Sequence, residues 1–163
     1  MSEPDNSLKH EVYIGLGSNI DPLTNFKHAI DKLRDTVQVK AVSKVWETPP
    51  VGTSGPNFLN AVTLIYTSLQ IALLRDNILR RIESQLGRVR TMDPNSARPI
   101  DLDILIFDKH IIDNEIWTQA HIAIPLAEFI PDFTNPETGE TLLEIATRLE
   151  RKYTLQIRPD VIL

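Results

Sequence analysis

After a polar start, apolar residues alternate at Val12, Ile14 and Leu16, predicting a strand over 11–16 that runs into the turn signal Gly17-Ser18-Asn19. Asp21-Pro22 reads as an N-cap and first-turn pair. Phe26, Ala29, Ile30 and Leu33 then recur at helical spacing. A long second strand is expected over 37–47 and a third over 58–66, separated by a loop holding Pro49, Pro50, Gly52, Gly55 and Pro56. Ser68 is placed to cap a second helix that carries Ile71, Leu74, Ile78 and Ile82 and ends at Gly87. A polar loop over 91–97 precedes a fourth strand, 100–107. The order β-α-β-β-α-β predicts an α+β fold with a ferredoxin-like core, two helices on one face of an antiparallel sheet and the other face left available. A turn over 135–139, a helix over 142–149 and a strand within 153–157 would form a C-terminal extension. Residues 1–10 read as a polar tail. With no repeat or linker, 11–163 reads as one domain.

Composition narrows the function classes. A net charge of -5 over 163 residues argues against a nucleic-acid partner, whose footprint is normally basic. Without cysteine there are no disulfides or thiolate metal sites, which fits a reducing compartment. No apolar run reaches the length of a membrane span and no signal peptide opens the chain, so a cytoplasmic protein without a membrane partner is expected, with a monomer as the default. Local charge differs from the average: Arg80, Arg81, Arg88, Arg90 and Arg98 crowd into residues 80–98, directly ahead of the fourth strand.

That strand holds the most informative pair. In Ile100-Asp101-Leu102-Asp103-Ile104-Leu105-Ile106-Phe107 only Asp101 and Asp103 are polar, and two-residue spacing puts both on one face. Ile100, Leu102, Ile104 and Ile106 would point the other way, into a core. Adjacent carboxylates repel and lose hydration unless something offsets them. A divalent cation does so, and Mg²⁺ usually sits on one or two carboxylates plus substrate phosphates. A strand end whose acids are solvated or paired with Arg98 would carry the same residues. Removal of either acid is expected to leave folding intact, since it relieves repulsion.

Other residues bear on the same chemistry. Glu83, in the last turn of a helix, opposes the helix dipole; it would either pair with a nearby arginine on the surface or accept hydrogen bonds from a substrate. Arginines ahead of a carboxylate pair have the makings of a polyphosphate clamp. Phe58 and Asn60 share a face of the third strand, where Phe58 could stack on a planar heterocycle and Asn60 could meet its edge. His121, among apolar neighbours, fits a structural or a functional role. Gly17-Ser18-Asn19 lacks the lysine and spacing of a phosphate loop and reads as a turn.

Taken in order, Gly17-Ser18-Asn19, Thr48-Pro49-Pro50, Phe58-Leu59-Asn60-Ala61, Glu83, Gly87-Arg88-Val89-Arg90, Arg98-Pro99-Ile100-Asp101-Leu102-Asp103-Ile104-Leu105, Pro125-Leu126 and Phe129-Ile130-Pro131-Asp132-Phe133 make a specific set. Over about Val12 to Leu149 the chain resembles the 6-hydroxymethyl-7,8-dihydropterin pyrophosphokinases, folate-pathway enzymes that move pyrophosphate from ATP to a pterin alcohol. The resemblance implies that Asp101 and Asp103 hold two Mg²⁺ ions and act in catalysis with Arg88 and Arg98. It implies ATP contacts at Glu83, Arg90, Ile104, Thr118 and His121, and a pterin pocket of Thr48, Pro49, Val51, Phe58 and Asn60. The partners would be small molecules, ATP and the dihydropterin alcohol. One departure stands out. Here His121 is followed by Pro125 after only three residues, where the family carries a longer segment with an arginine and a second pterin-stacking aromatic. Phe129 and Phe133 are the candidates to replace that ring. The departure keeps open a second reading, a nucleotide-binding paralogue with an altered substrate or a regulatory role. An RNA-binding module, sharing only the sheet topology, is disfavoured by the acidic balance.

Overall fold

The computed structural model describes residues 9–50 and 54–163. The expected α+β core is present. Strand β1 (His10–Ser18) leads to helix α1 (Pro22–Thr36), then strands β2 (Gln38–Val42), β3 (Trp46–Thr48) and β4 (Phe58–Thr67), helix α2 (71–85) and strand β5 (Asp101–Phe107). His10, expected in the polar tail, begins β1. Strands β1 and β4 are the sheet's centre: β5 lies antiparallel on the far side of β1, and β2 and β3 lie antiparallel along β4. The single second strand expected over 37–47 is two strands. At the break the Ser43 N–H donates to the Val62 carbonyl at 2.8 Å, while the Ser43 hydroxyl accepts from the Val62 N–H at 2.8 Å. A side chain thus takes a place in the ladder, and the strand direction shifts.

Helix α1 forms where its apolar stripe demands it: Phe26, Ala29, Ile30 and Leu33 are fully buried against the sheet. Truncating one of its large members, such as Leu33, to Ala would cost about 2–5 kcal/mol. Asp21 occupies the N-cap with a left-handed φ of 41°, but its side chain caps nothing; Pro22 at the first helical position removes the need for one donor. Ser68 does not cap α2 either. Gln70 is its N-cap, and Thr67 holds the preceding turn by accepting from the Leu69 N–H at 3.1 Å. A π-helical stretch, Leu74–Leu79, lies between α-helical Ile71–Leu73 and Arg80–Gln85. Its wider turn buries Leu74 and Leu79, five apart, and leaves Ile78 only partly covered.

The C-terminal third changes the architecture. Strand β6 (His110–Ile111) and a 3₁₀ turn (Asn114–Trp117) precede helix α3 (Ala120–Ala127), followed by helix α4 (Leu142–Lys152) and strand β7 (Gln156–Ile157), which pairs with β3. Helix α4 begins with a full capping box, Thr141 with Glu144. The sheet face expected to be available is therefore partly occupied. Ala123, Leu126, Leu142, Ile145 and Leu149 pack there with Tyr13, Trp46, Val62 and Leu105 in a second core. The end of that face carrying Gly15, Gly17, Asn60, Asp101 and Asp103 remains open.

A β-bulge divides the two ends. Tyr13 opposes Ile106 and Ile14 opposes Ile104, which leaves Leu105 as the extra residue of β5. Leu102 and Ile104 keep to the α1–α2 core, as alternation predicts, but Leu105 and Ile106 both enter the second core. Ile106 is thus on the opposite face from the one expected. Alternation alone puts Leu105 on the face of Asp101 and Asp103, and the bulge adds Ile106 to its apolar end.

Candidate active site

The open end of the sheet is the floor of a cleft of about 380 Å³. Asp101 and Asp103 from β5, Gly15 and Gly17 from β1, and Phe58 and Asn60 from β4 line it. The register fixes them side by side, since Gly17 pairs with Asp101 on one side and Asn60 on the other, and Gly15 with Asp103. A Cβ on Gly17 would sit 3.5 Å from the Asn60 Oδ1, an ordinary contact, so the Asn60 amide lies directly beside this glycine. Thr48, Pro49 and Asn95 form part of the walls, as do Arg98, Glu115 and His121.

The arginine wall is built by the end of α2. Gly87, with φ at 92°, makes a conformation that side chains rarely adopt. The Gly87 N–H donates to the Ser84 carbonyl at 3.1 Å and the Arg88 N–H to the Glu83 carbonyl at 3.0 Å, the two bonds of a Schellman closure. This turn brings the Arg88 guanidinium between Glu83 and Asp101, to both of which its Nη1 donates. Arg98 donates from Nη1 to the other Asp101 oxygen at 2.9 Å. Asn19 secures Arg98 in turn. Its Oδ1 accepts from the Arg98 N–H at 2.8 Å, and its own N–H donates to the Arg98 carbonyl at 3.1 Å. The pairing of Asp101 with Arg98, one of the readings open from sequence, is realised and doubled by Arg88. Removing Asp101 would take a carboxylate partner from each guanidinium, leaving Arg88 with Glu83 and Arg98 with the Ser96 and Pro94 carbonyls, so relief of repulsion is set against lost pairing.

Asp103 has a different environment. Its carboxylate makes no ion pair among the described residues and opens onto the cleft floor. Asp103 is exposed at the cleft floor, yet the surrounding walls still cost its charged form hydration and raise its pKa first; Asp101, Glu83 and Asp113 raise it further to about 7, against a smaller downward pull from Arg88. Near neutral pH this group is short of a counter-charge. Burial likewise raises Glu83, only partly countered by Arg88, and burial lowers His121 despite Asp101 and Asp113. For Arg88, burial works against the charge, but Asp101 and Glu83 outweigh it and raise the pKa.

The acceptor wall is neutral. Thr48 pairs with Phe58 and Trp46 with Asn60 across β3 and β4. The Asn60 amide donates to the Thr48 hydroxyl at 2.8 Å, which orients its carbonyl oxygen away from that bond. Of the residues named from sequence, Thr48, Pro49, Phe58, Asn60, Arg98, Asp101, Asp103 and His121 line this cleft. Arg88 and Arg90 line an adjoining hollow of about 300 Å³ together with Arg98. Val51 lies outside the described residues. Ile104 is 7 % exposed in the α1–α2 core, because the alternation that turns Asp103 into the cleft turns its neighbour away. Thr118 does not line the cleft, and Glu83, 3 % exposed, stands behind Arg88 rather than facing the opening. Gly15, Leu105, Glu115, Gln119 and Ile122 were not singled out from sequence. The period-2 pattern of β1 could have revealed Gly15; the others depend on how the C-terminal third folds back. Among the described lining residues Phe58 is the only aromatic. Phe129 packs on Tyr13 with ring centroids 5.7 Å apart, and Phe133 stacks on Trp117 at 5.7 Å, so neither takes the place of a second ring.

The family described as 7,8-dihydro-6-hydroxymethylpterin-pyrophosphokinase (HPPK) matches residues 13–131, well over half of the chain. A Haemophilus influenzae protein named 2-amino-4-hydroxy-6-hydroxymethyldihydropteridine pyrophosphokinase is 34% identical, over 86% of this chain and 91% of its own length. An Arabidopsis thaliana protein named folate synthesis bifunctional protein is 37% identical over 74% of this chain, which spans 27% of that longer protein. Among solved structures, Plasmodium falciparum HPPK-DHPS with pteroate superposes with a TM-score of 0.67 at 11% identity, over 93% of this chain and 44% of that one. That likeness establishes the fold.

Proposed function

The chain belongs to the 7,8-dihydro-6-hydroxymethylpterin-pyrophosphokinase family, and on that footing we propose that it transfers pyrophosphate from ATP to the hydroxyl of 6-hydroxymethyl-7,8-dihydropterin, releasing AMP in folate synthesis. The observation that carries the reading is the placing of Asp101 and Asp103 on one cleft floor, with arginines on one side and Phe58 and Asn60 on the other.

The work divides accordingly. Phe58 would stack on the pterin ring, while Asn60, its amide already turned to Thr48, offers its carbonyl oxygen to a ring N–H. Thr48 and Pro49 close that side, with Val51 the remaining pocket residue carried over from the family. Arg90, whose side chain is 60% exposed, and Arg98 would meet phosphate oxygens, with Arg88 contributing as its carboxylate partners are neutralised. His121, held neutral by burial, can donate one hydrogen bond to the nucleotide, with Thr118, Ile104 and Glu83 as the other ATP positions implied. No side-chain nucleophile is needed, because the acceptor hydroxyl attacks the β-phosphorus and AMP leaves.

The donor set fits a divalent cation. Asp103 makes no ion pair among the described residues, and each Asp101 oxygen keeps a lone pair beyond the one taken by arginine. Asp101 and Asp103 would hold Mg²⁺, two ions in all, with substrate phosphates completing the coordination; when bound, the ions assist the attacking hydroxyl and offset charge developing on the phosphates. Among the described residues no helix is long and apolar enough to cross a membrane.

Measuring AMP release from MgATP with and without the dihydropterin alcohol tests the reading. Release that depends on the pterin is expected. Nucleotide binding without it would favour the regulatory alternative, which the lone aromatic of the cleft motivates.

A further inference from the structure

Glu128 is the C-cap of α3, where a carboxylate opposes the helix dipole. Its two oxygens account for its presence. Oε2 accepts from the Lys44 backbone N–H at 3.0 Å, and Oε1 accepts from the Trp46 indole N–H at 3.0 Å. Trp46 is the first residue of β3, and Lys44 lies in the break between β2 and β3. There Ser43 keeps its bond to Val62, while the Lys44 N–H is turned out of the ladder towards α3. The indole N–H, on a Trp46 only 7 % exposed, also needs an acceptor. Two residues beyond Trp46, the strand delivers Thr48 and then Pro49 to the acceptor wall of the cleft. At its other end α3 delivers His121 and Ile122 to the facing wall.

We infer that Glu128 is a positioning residue for the transfer: it ties the strand bearing the pterin wall to the helix bearing His121, and so sets the width of the cleft across which the acceptor hydroxyl must approach the nucleotide. The inference rests on the pyrophosphate-transfer reading. Glu128 does not line the cleft and reaches it only through the residues it holds. Its loss therefore acts through Thr48 and Pro49, on acceptor binding rather than on the metal floor.

The experiment compares Glu128→Ala, Glu128→Gln and Trp46→Phe by steady-state kinetics, varying each substrate in turn. Glu128→Ala should raise KM for the pterin alcohol about five- to tenfold, the scale of hydrogen bonds to an exposed carboxylate. KM for ATP and kcat should stay within about threefold. Glu128→Gln, which can still accept from the indole but presents an amide to one donor, should fall in between. Trp46→Phe, which keeps a six-membered aromatic ring but removes the pyrrole half with its N–H, should reproduce part of the rise and add little to Glu128→Ala in the double variant. Equal rises in both KM values, or an unchanged pterin KM beside a lowered Tm, would reduce Glu128 to a structural contact. Should Glu128→Ala not fold, Trp46→Phe alone decides by the same split. If the wild-type protein shows no pterin-dependent AMP release, the transfer reading fails by itself. Hydrogen exchange then decides the brace: about tenfold faster exchange at Lys44 in Glu128→Gln, with the β1–β4 amides unchanged, supports it, and unchanged exchange overturns it.

Discussion

The two halves of the cleft are built on opposite plans. On the acceptor side, Thr48, Phe58 and Asn60 sit on paired strands whose backbone register already fixes their spacing. On the phosphate side, Arg88 comes from a helix-terminating turn, Arg98 from a loop tied to Asn19, and Asp101 from the start of β5; side-chain charges bind them to one another. A ladder holds geometry whatever the pH and ligand. A charge network holds it only while each member keeps its ionisation and its partner, since an unpaired buried charge costs several kcal/mol. The phosphate side is thus the half able to rearrange when a polyanion arrives.

The sharpest way to break this comparison is Asp103→Asn. It should lower turnover by about 10²–10³ or more, the scale of losing a charge-stabilising group, with folding retained or improved. The pH dependence checks the cause. The carboxyl, ordinarily at 3.8, is raised to about 7 in the folded protein. The native state therefore holds that proton more tightly than the unfolded chain, and metal-free stability should decline as pH rises from about 4 to about 7. In Asp103→Asn the decline should flatten, read by thermal melts across that range; an identical decline in both proteins would deny Asp103 its unpaired character.

Arg88→Ala is next. It takes their shared partner from Glu83, 3 % exposed, and Asp101, leaving Glu83 only the longer contact to Arg90 at 3.4 Å and Asp101 only Arg98. Denaturant unfolding should show a loss of about 3–5 kcal/mol, the usual result of removing one member of a buried pair. A loss within 0.5 kcal/mol would mean the network carries no weight in the ligand-free fold. Phe58→Ala, on the ladder side, should be the mildest. Pterin affinity measured by calorimetry should fall about tenfold, close to 1.4 kcal/mol, with ATP binding and stability little changed. Equal weakening of ATP would show that the halves are not separable.

Local pattern sufficed for much of this. The stripe Phe26, Ala29, Ile30 and Leu33 is buried as its spacing required, and the strand, helix and strand order of the core followed from periodicity because each element answers to its own sequence. The acids of β5 announced themselves by standing alone among apolar neighbours. Glu83 was legible as an acid in an awkward place, though not that its partner would be Arg88 rather than a ligand.

By itself, then, the sequence determined the main helices and strands of the core and the facing of Asp101 and Asp103, since alternation and helical periodicity are properties of a few consecutive residues. Tertiary structure alone decided the rest. It split the second strand at Ser43, turned Ile106 over through the bulge at Leu105, covered half of the sheet with α3 and α4, and set Arg88 against Asp101. Each of these depends on which distant surface is free to be covered or which distant charge needs a partner, and no local window of residues contains that information.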